Sequence, residues 1–280
     1  MFARDFDTAG SHRGFSVRCQ GTTLIVPLNV CFGLRLQPLQ LVPCVARRYP
    51  HSTSPHSLRY ILSLPDSQTA IRSFFFDGPA GRLEALLNQG RPDAPYAALV
   101  CHPHPLGGGT MHNKVVFHAM KALNSFGFPV LRFNFRGTGL SAGRHDEGRG
   151  EVADVEAALA WLKREFALPV VFAGFSFGAA TGLHAACSDA DVKALISIGT
   201  PVEAEGRVYT FSFLRECAKP KLFVSGDHDQ YGPHQKLEEV VALAAEPKEL
   251  VFIPGDHFFE GHLTELRQTI ESWVEELLAK

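Results

Sequence analysis

Residues 61–280 of this 280-residue chain predict an α/β domain built on a mostly parallel sheet of about eight strands flanked by helices. Three observations carry that prediction. Short, unbroken apolar runs recur along the chain, as strands buried on both faces require. Segments of helical length with apolar residues at helical spacing separate them. Ahead of the first run, the turn-forming cluster Asp77-Gly78-Pro79-Ala80-Gly81 joins two strand-like stretches.

In chain order, Ile71–Phe76 and Arg82–Leu87 read as an antiparallel entry hairpin. The apolar runs follow: Tyr96–Cys101, Pro129–Phe135, Pro169–Phe175, Val192–Ile198, Lys221–Ser225 and Glu249–Ile253. Between them, 151–166 places Val152, Val155, Leu159, Leu162 and Phe166 on one stripe, with Glu156, Lys163 and Arg164 opposite. Residues 263–278 do the same with Leu266, Ile270, Trp273 and Leu277. Strands that alternate with helices imply parallel pairing through right-handed crossovers. About 220 residues, with no repeat and no second apolar core, fit one domain.

Residues 1–60 differ in kind. They hold seven Arg, no Lys and only Asp5 and Asp7, a balance of +5, whereas 61–280 hold 20 basic and 27 acidic residues, a balance of −7. The whole-chain charge of −2 is therefore a cancellation, and it leaves no basic footprint for nucleic acid. No stretch approaches the roughly 20 apolar residues of a membrane span. The longest uncharged run within 1–60, residues 19–34, is broken by Gln20, Gly21, Pro27, Asn29 and Gly33. Asp5 and the late apolar stretch argue against a secretory signal. The segment is read as a leader without a fold, or an extension from an upstream start; its Arg-rich, acid-poor character also suits an organellar transit peptide. The six Cys (19, 31, 44, 101, 187 and 217) form no Cys-x-x-Cys pair, which points to reduced thiols and a cytoplasmic location, or an organelle if the leader targets one.

The chemistry centres on Gly174-Phe175-Ser176-Phe177-Gly178, a Gly-x-Ser-x-Gly pattern in which a sharp strand-to-helix turn exposes a serine hydroxyl above a sheet. The pattern occurs a second time, at Gly139-Leu140-Ser141-Ala142-Gly143. Context separates the two. Ser176 follows an unbroken apolar strand and precedes a run of small residues suited to a helix packed tightly on the sheet. Ser141 lies in a Gly-rich loop that leads into Arg144-His145-Asp146-Glu147. Ser176 is the candidate nucleophile.

A serine needs a base to take its proton and a third group to orient the base. Two later strands end in suitable residues: Lys221–Ser225 runs into Gly226-Asp227-His228-Asp229, and Leu250–Ile253 runs into Pro254-Gly255-Asp256-His257. The order nucleophile, acid, histidine is the one such elbows use, and strand ends on one edge of a parallel sheet converge. Together with 101–114 (Cys-His-Pro-His-Pro-Leu-Gly-Gly-Gly-Thr-Met-His-Asn-Lys), 134–141 (Asn-Phe-Arg-Gly-Thr-Gly-Leu-Ser) and Gly255-Asp256-His257-Phe258-Phe259, the elbow resembles the α/β-hydrolase superfamily, specifically its small, capless, dienelactone-hydrolase-like members. The resemblance spans about residues 68–278. It implies an α/β-hydrolase fold without a large cap domain, with Asp229 as the triad acid and His257 as the base. Asp227 is the alternative acid, its other role being an Asx cap of its own turn. Dienelactone hydrolases proper carry Cys at the elbow, so Ser176 argues against a dienelactone substrate.

Acyl transfer also needs N–H donors for the developing oxyanion. Phe177, after the nucleophile, supplies one, and the loop after Cys101 another; Pro103 and Pro105 have no N–H, which leaves His104 first and Leu106 next, with the glycines behind them. The loop lacks phosphate-loop and dinucleotide spacings, so no cofactor is expected. His102, His104, His112 and His257-x-x-Glu260-x-His262 invite a metal reading without matching a zinc motif; His102 and His112 read instead as hydrogen-bonded loop residues, and no metal is expected. Arg136 reads as a turn anchor. Only about 20 residues separate Ile198 from Lys219, too few for a helical lid, so the site should be open, its mouth formed by some of Phe175, Phe177, Phe211, Phe213, Phe258 and Phe259. The expected activity is carboxylic-ester hydrolysis through a Ser-His-Asp triad and an acyl-enzyme. Amide hydrolysis, acyl transfer, a metal-dependent hydrolase and a non-catalytic binding protein are the alternatives. The expected partners are a small ester-like substrate and, for assembly, a second copy of the chain in a homodimer.

Overall fold

A strand whose residues are apolar without interruption can be buried only by covering both its faces, and the strands at 97–101 and 170–175 obey that rule. The computed structural model describes residues 70–280 apart from 205 and 206, together with the backbone of 14–19 and 22–27. In the N-terminal unit, 1–60, β1 (Gly14–Cys19) and β2 (Thr22–Pro27) pair antiparallel. The sequence had suggested no strand here; the β-branched run Thr22-Thr23-Leu24-Ile25-Val26 favours one. The rest of the expected leader, with Cys31 and Cys44, lies outside the described residues.

In the second unit, β3 (Ile71–Gly78) and β4 (Gly81–Asn88) form the entry hairpin, closed by Pro79-Ala80. There follow β5 (Ala97–Cys101), α1 (Lys114–Ser125), β6 (Val130–Phe133), α2 (Arg149–Phe166), β7 (Val170–Phe175), α3 (Phe177–Ser188) and β8 (Val192–Ile198). After them come the two-residue strands β9 (Glu203–Ala204) and β10 (Arg207–Val208), then β11 (Lys221–Gly226), α4 (His234–Leu243), β12 (Lys248–Ile253) and α5 (Leu263–Leu278). The main sheet has eight strands in the order β12-β11-β8-β7-β5-β6-β4-β3; β4 pairs antiparallel with both β3 and β6, and the other neighbours pair in parallel. Each expected strand forms within a residue or two of its sequence bounds. The helix α1, begun by Asn113 whose Oδ1 accepts the Val115 N–H, and the short β9–β10 pair carried no sequence signal strong enough to mark them.

Two apolar layers cover the sheet. Leu99, Phe172 and Leu195 face a layer that includes Val155 and Leu159 of α2, Leu183 of α3 and Val240 of α4. Val100, Val171 and Ile196 face Val116 and Met120 of α1 and Leu266 and Ile270 of α5. Alternate residues of one strand thus enter opposite cores. The chain passes from β5 to β6 on one side and then returns to β7 on the other, so β5 and β7 flank a topological switch point. Loops leaving the carboxyl ends of such strands diverge and leave a crevice. Between β8 and β11 lie the β9–β10 pair and a 3-10 turn at Ser212–Arg215, without a large cap domain. None of the described helices is long and apolar enough to cross a membrane.

Candidate active site

The residue joining β7 to α3 is Ser176, with φ 54° and ψ −122°, a conformation that non-glycine residues seldom adopt. The flanking glycines explain how the turn closes. A Cβ on Gly174 would lie 2.5 Å from the Gly178 carbonyl oxygen, and one on Gly178 would lie 2.4 Å from the His102 carbonyl oxygen. Farther along, a Cβ on Gly182 would enter the Phe172 ring, which is why α3 is built of small residues.

Two and three strands away, the ends of β11 and β12 deliver the partners. His257 Nε2 lies 2.9 Å from Ser176 Oγ, and its Nδ1 lies 2.8 Å from Asp229 Oδ2. Asp229 is buried; its Oδ2 also accepts from Ser225 Oγ (3.1 Å), and its Oδ1 from the N–H groups of Tyr231 (2.9 Å) and Gly232 (3.2 Å). Those bonds satisfy a carboxylate that burial would otherwise disfavour. The buried imidazole packs against Phe175 and against the edge of Tyr231.

Asp227 does not touch His257. Its Oδ1 accepts from the Gly255 N–H at 2.9 Å and faces His228 Nδ1, and the Gly255 bond foremost holds its carboxyl below the usual range. It therefore ties the acid loop to the histidine loop, and its own backbone N–H also helps hold its carboxyl down. Asp256 holds the histidine loop through the N–H groups of Phe258 and Glu260.

The loop after β5 turns on itself. Gly107 and Gly109 donate to the His104 carbonyl, Gly108 to that of Pro105, and the Leu106 N–H to His104 Nδ1 at 3.2 Å. Leu106 is exposed and lines a neighbouring cavity of about 370 Å³, whereas His104 and Phe177 line one of about 120 Å³ with Ser176 and His257. Of the two loop residues expected to serve the oxyanion, the structure brings His104 alone to the Ser176 cavity. His102 anchors the loop from beneath: Nδ1 donates to the Pro103 carbonyl (2.7 Å) and Nε2 accepts the Phe135 N–H (3.0 Å). Burial lowers its pKa to about 4, so the ring is neutral and the tautomer is fixed by its two bonds. His112 is exposed, its N–H on Thr110 Oγ1.

Arg136 grips Asp154 through Nε (3.0 Å) and Nη2 (2.7 Å), as a turn anchor should. Of the phenylalanines expected at the mouth, Phe177 and Phe258 line the cavity; Phe175, Phe211 and Phe259 are buried, and Phe213 packs on His184. Sequence reasoning missed Arg207, Tyr209 and Tyr231, which also line it. Cys101, Cys187 and Cys217 are free thiols.

A serine on a strained strand-to-helix turn, facing an imidazole backed by a buried carboxylate at the switch point of a mostly parallel sheet, defines a class of hydrolase scaffold. Residues 97–278 match the model of the alpha/beta hydrolase domain, and the chain belongs to that family. It is 36% identical over 209 residues to an uncharacterized protein of Rickettsia prowazekii, covering 71% of this chain and 87% of the relative. An alpha-beta serine hydrolase homologue from Coxiella burnetii is 40% identical with a TM-score of 0.66, covering 72% of this chain and 96% of that one. A serine hydrolase without a lid from Xanthomonas campestris is 34% identical with a TM-score of 0.65, covering 75% of this chain and 95% of that one.

Proposed function

We propose that the protein hydrolyses carboxylic esters through Ser176, His257 and Asp229. The observation that carries this reading is the unbroken chain of contacts from Ser176 Oγ to His257 Nε2 and from His257 Nδ1 to Asp229 Oδ2. Asp229, as a carboxylate, accepts from Nδ1–H; that tautomer leaves the Nε2 lone pair facing the serine hydroxyl. His257 takes the Ser176 proton as Oγ attacks the carbonyl carbon. The imidazolium then protonates the departing alkoxide, and water, activated by the same nitrogen, resolves the acyl-enzyme.

The oxyanion falls to two backbone donors in this reading. Phe177 is the first residue of α3, so its N–H has no acceptor within the helix, and the helix N-terminus favours negative charge there. The second is the N–H of His104, since those of Leu106 through Gly109 are engaged inside the loop. Amides and acyl acceptors other than water would use the same groups; esters come first because their leaving groups need the least help.

Treatment with a fluorophosphonate probe tests the assignment. Labelling that disappears in Ser176→Ala and is indifferent to chelators is expected. Labelling that persists in Ser176→Ala would sink it, and turnover lost to a chelator would favour a metal-dependent hydrolase. Aryl esters of increasing acyl length then map the acyl site.

A further inference from the structure

Away from the serine, the far end of α3 carries a pair of thiols that the chemistry above does not use. α3 packs against the 3-10 turn at Ser212–Arg215, which closes with the Cys217 N–H on the Leu214 carbonyl at 3.3 Å. That packing sets the buried Cys217 against the half-buried Cys187 of the last turn of α3. The two side chains hydrogen-bond to each other. Along α3, at about 1.5 Å per residue, Cys187 lies roughly 16 Å from Ser176.

Two ammonium groups frame the pair. Lys219 Nζ donates to the Ala186 carbonyl at 2.7 Å and to that of Asp189, strapping the residues on either side of Cys187 to the lead-in of β11. Lys221 Nζ donates to the carbonyls of Lys219 and Ala245, at 2.7 Å each. The acids that act on these two lysines, Asp189 and Glu246, pair instead with Lys163 (2.9 Å) and Lys248 (3.7 Å). The positive charge is left to act on the sulfurs, and such a surround favours the thiolate, the form that attacks. The bond to Cys187 foremost, then the Lys219 N–H and the two ammonium groups, holds Cys217 below the usual thiol range against the effect of burial, while the bond to Cys217 foremost raises Cys187. Cys217 is thus the thiolate and Cys187 its donor. Cys101 is the contrast: burial, with Asp154 behind it, pushes its thiol well up and keeps it inert.

We propose that Cys187 and Cys217 form a site of reversible oxidation, at which hydrogen peroxide converts the thiol pair to a disulfide. Cys217 Sγ attacks one peroxide oxygen: the S–O bond forms, the O–O bond breaks, and the departing hydroxide takes the Cys187 proton and leaves as water. Cys187 Sγ, now a thiolate, attacks the sulfenic sulfur; the S–S bond forms, the S–O bond breaks, and the second hydroxide takes a proton from solvent. The two sulfurs lose the two electrons that peroxide gains. With Cys217 only 5% exposed, the oxidant has to be small, which favours peroxide over a bulky disulfide. The bridge closes the stretch 187–217, which carries β8 and the β9–β10 pair, and a dithiol reopens it by exchange.

The full-length chain, reduced and then freed of reductant, is exposed to hydrogen peroxide, its remaining thiols are alkylated, and its peptides are mapped without reduction by mass spectrometry. The expected product joins the peptides of Cys187 and Cys217, lighter by two hydrogens than their sum, and dithiothreitol separates them, while Cys101 is recovered alkylated. With dimedone present, Cys187→Ser should trap the sulfenic acid on Cys217, and Cys217→Ser should leave Cys187 without the adduct. Both thiols recovered alkylated after peroxide overturn the proposal. So does a bridge from either one to another cysteine, or a sulfinic acid formed at either without a bridge. Dimedone on Cys187 in place of Cys217 overturns the assignment of the attacking sulfur. The wild-type map needs no variant, so it decides the proposal even if a substitution unfolds the chain, and it does so whether or not Ser176 is the nucleophile.

Discussion

The same five-residue pattern occurs twice in this protein and is used for different physical ends. At 174–178 the serine takes the left-handed backbone, and the glycines are needed because backbone atoms crowd where their Cβ atoms would be. At 139–143 the arrangement is reversed: Gly139 (φ 55°) and Gly143 (φ 84°) take the left-handed conformations. Ser141 turns inward there, its Oγ donating to the Asn134 carbonyl at 2.6 Å and accepting the Glu84 N–H at 2.9 Å. One serine faces an imidazole and a cavity; the other pins a loop to the entry hairpin. A short pattern records where small residues are required, and only the surroundings say why.

The sharpest way to break this contrast is to remove the two hydroxyls separately. Ser176→Ala should cost about 10⁶-fold in kcat with the fold intact. Ser141→Ala should leave fluorophosphonate labelling in place, and labelling lost from it instead would reverse the two roles. A second pair of variants asks the same question of the acids. Asp229→Asn should lower kcat about 10⁴-fold by upsetting the tautomer of His257, whereas Asp227→Asn should leave kcat nearly unchanged, since its carboxylate meets Gly255 and His228 and not His257. A large loss in the second variant would place the acid wrongly.

Smaller effects appear in stability. His102 joins the two regions, because its carbonyl packs under Gly178 and its ring accepts the Phe135 N–H just before the second loop. Folded, the ring stays neutral down to about pH 4, while unfolded chains protonate it below about 6.5. The unfolded state therefore binds more protons between those values, and stability should fall as pH falls from 6.5 to 4, by at most about 3 kcal/mol. Denaturant midpoints across that range check it: His102→Gln should flatten the slope, and an unchanged slope would assign it to other groups. Smallest of the series, Ser141→Ala should destabilise by about 1–2 kcal/mol, since it strands a buried carbonyl and an N–H. A urea melt measures that directly.

Much of this was legible in the sequence, for identifiable reasons. β5 and β7 announce themselves as unbroken apolar runs because both their faces are buried. The elbow could be chosen over its double because a strand and a small-residue helix bracket it. The choice between Asp227 and Asp229 was not a matter of composition: they lie two residues apart, and only the resemblance to a family favoured the second. His104 stood ahead of Leu106 as the expected N–H donor, and the fold of the loop onto its own ring, which engages the Leu106 N–H, was not legible. Arg207 was invisible because β9 and β10 have two residues each, too few for any period.

The register of β11 against β12 has a further consequence. Gly226 pairs with Ile253 on adjacent parallel strands, and the acid and the base follow three and four residues later. Their spacing is thus inherited from the gap between two hydrogen-bonded strands, about 4.8 Å, with Asp227 and Gly255 cross-tying the loops above. Local fraying of the crevice can move β10 or the loop after β5 while acid and base stay together. The Asp229–His257 contact rides on two paired strands, so on heating the cavity wall should loosen first and that pair should part when β11 and β12 separate.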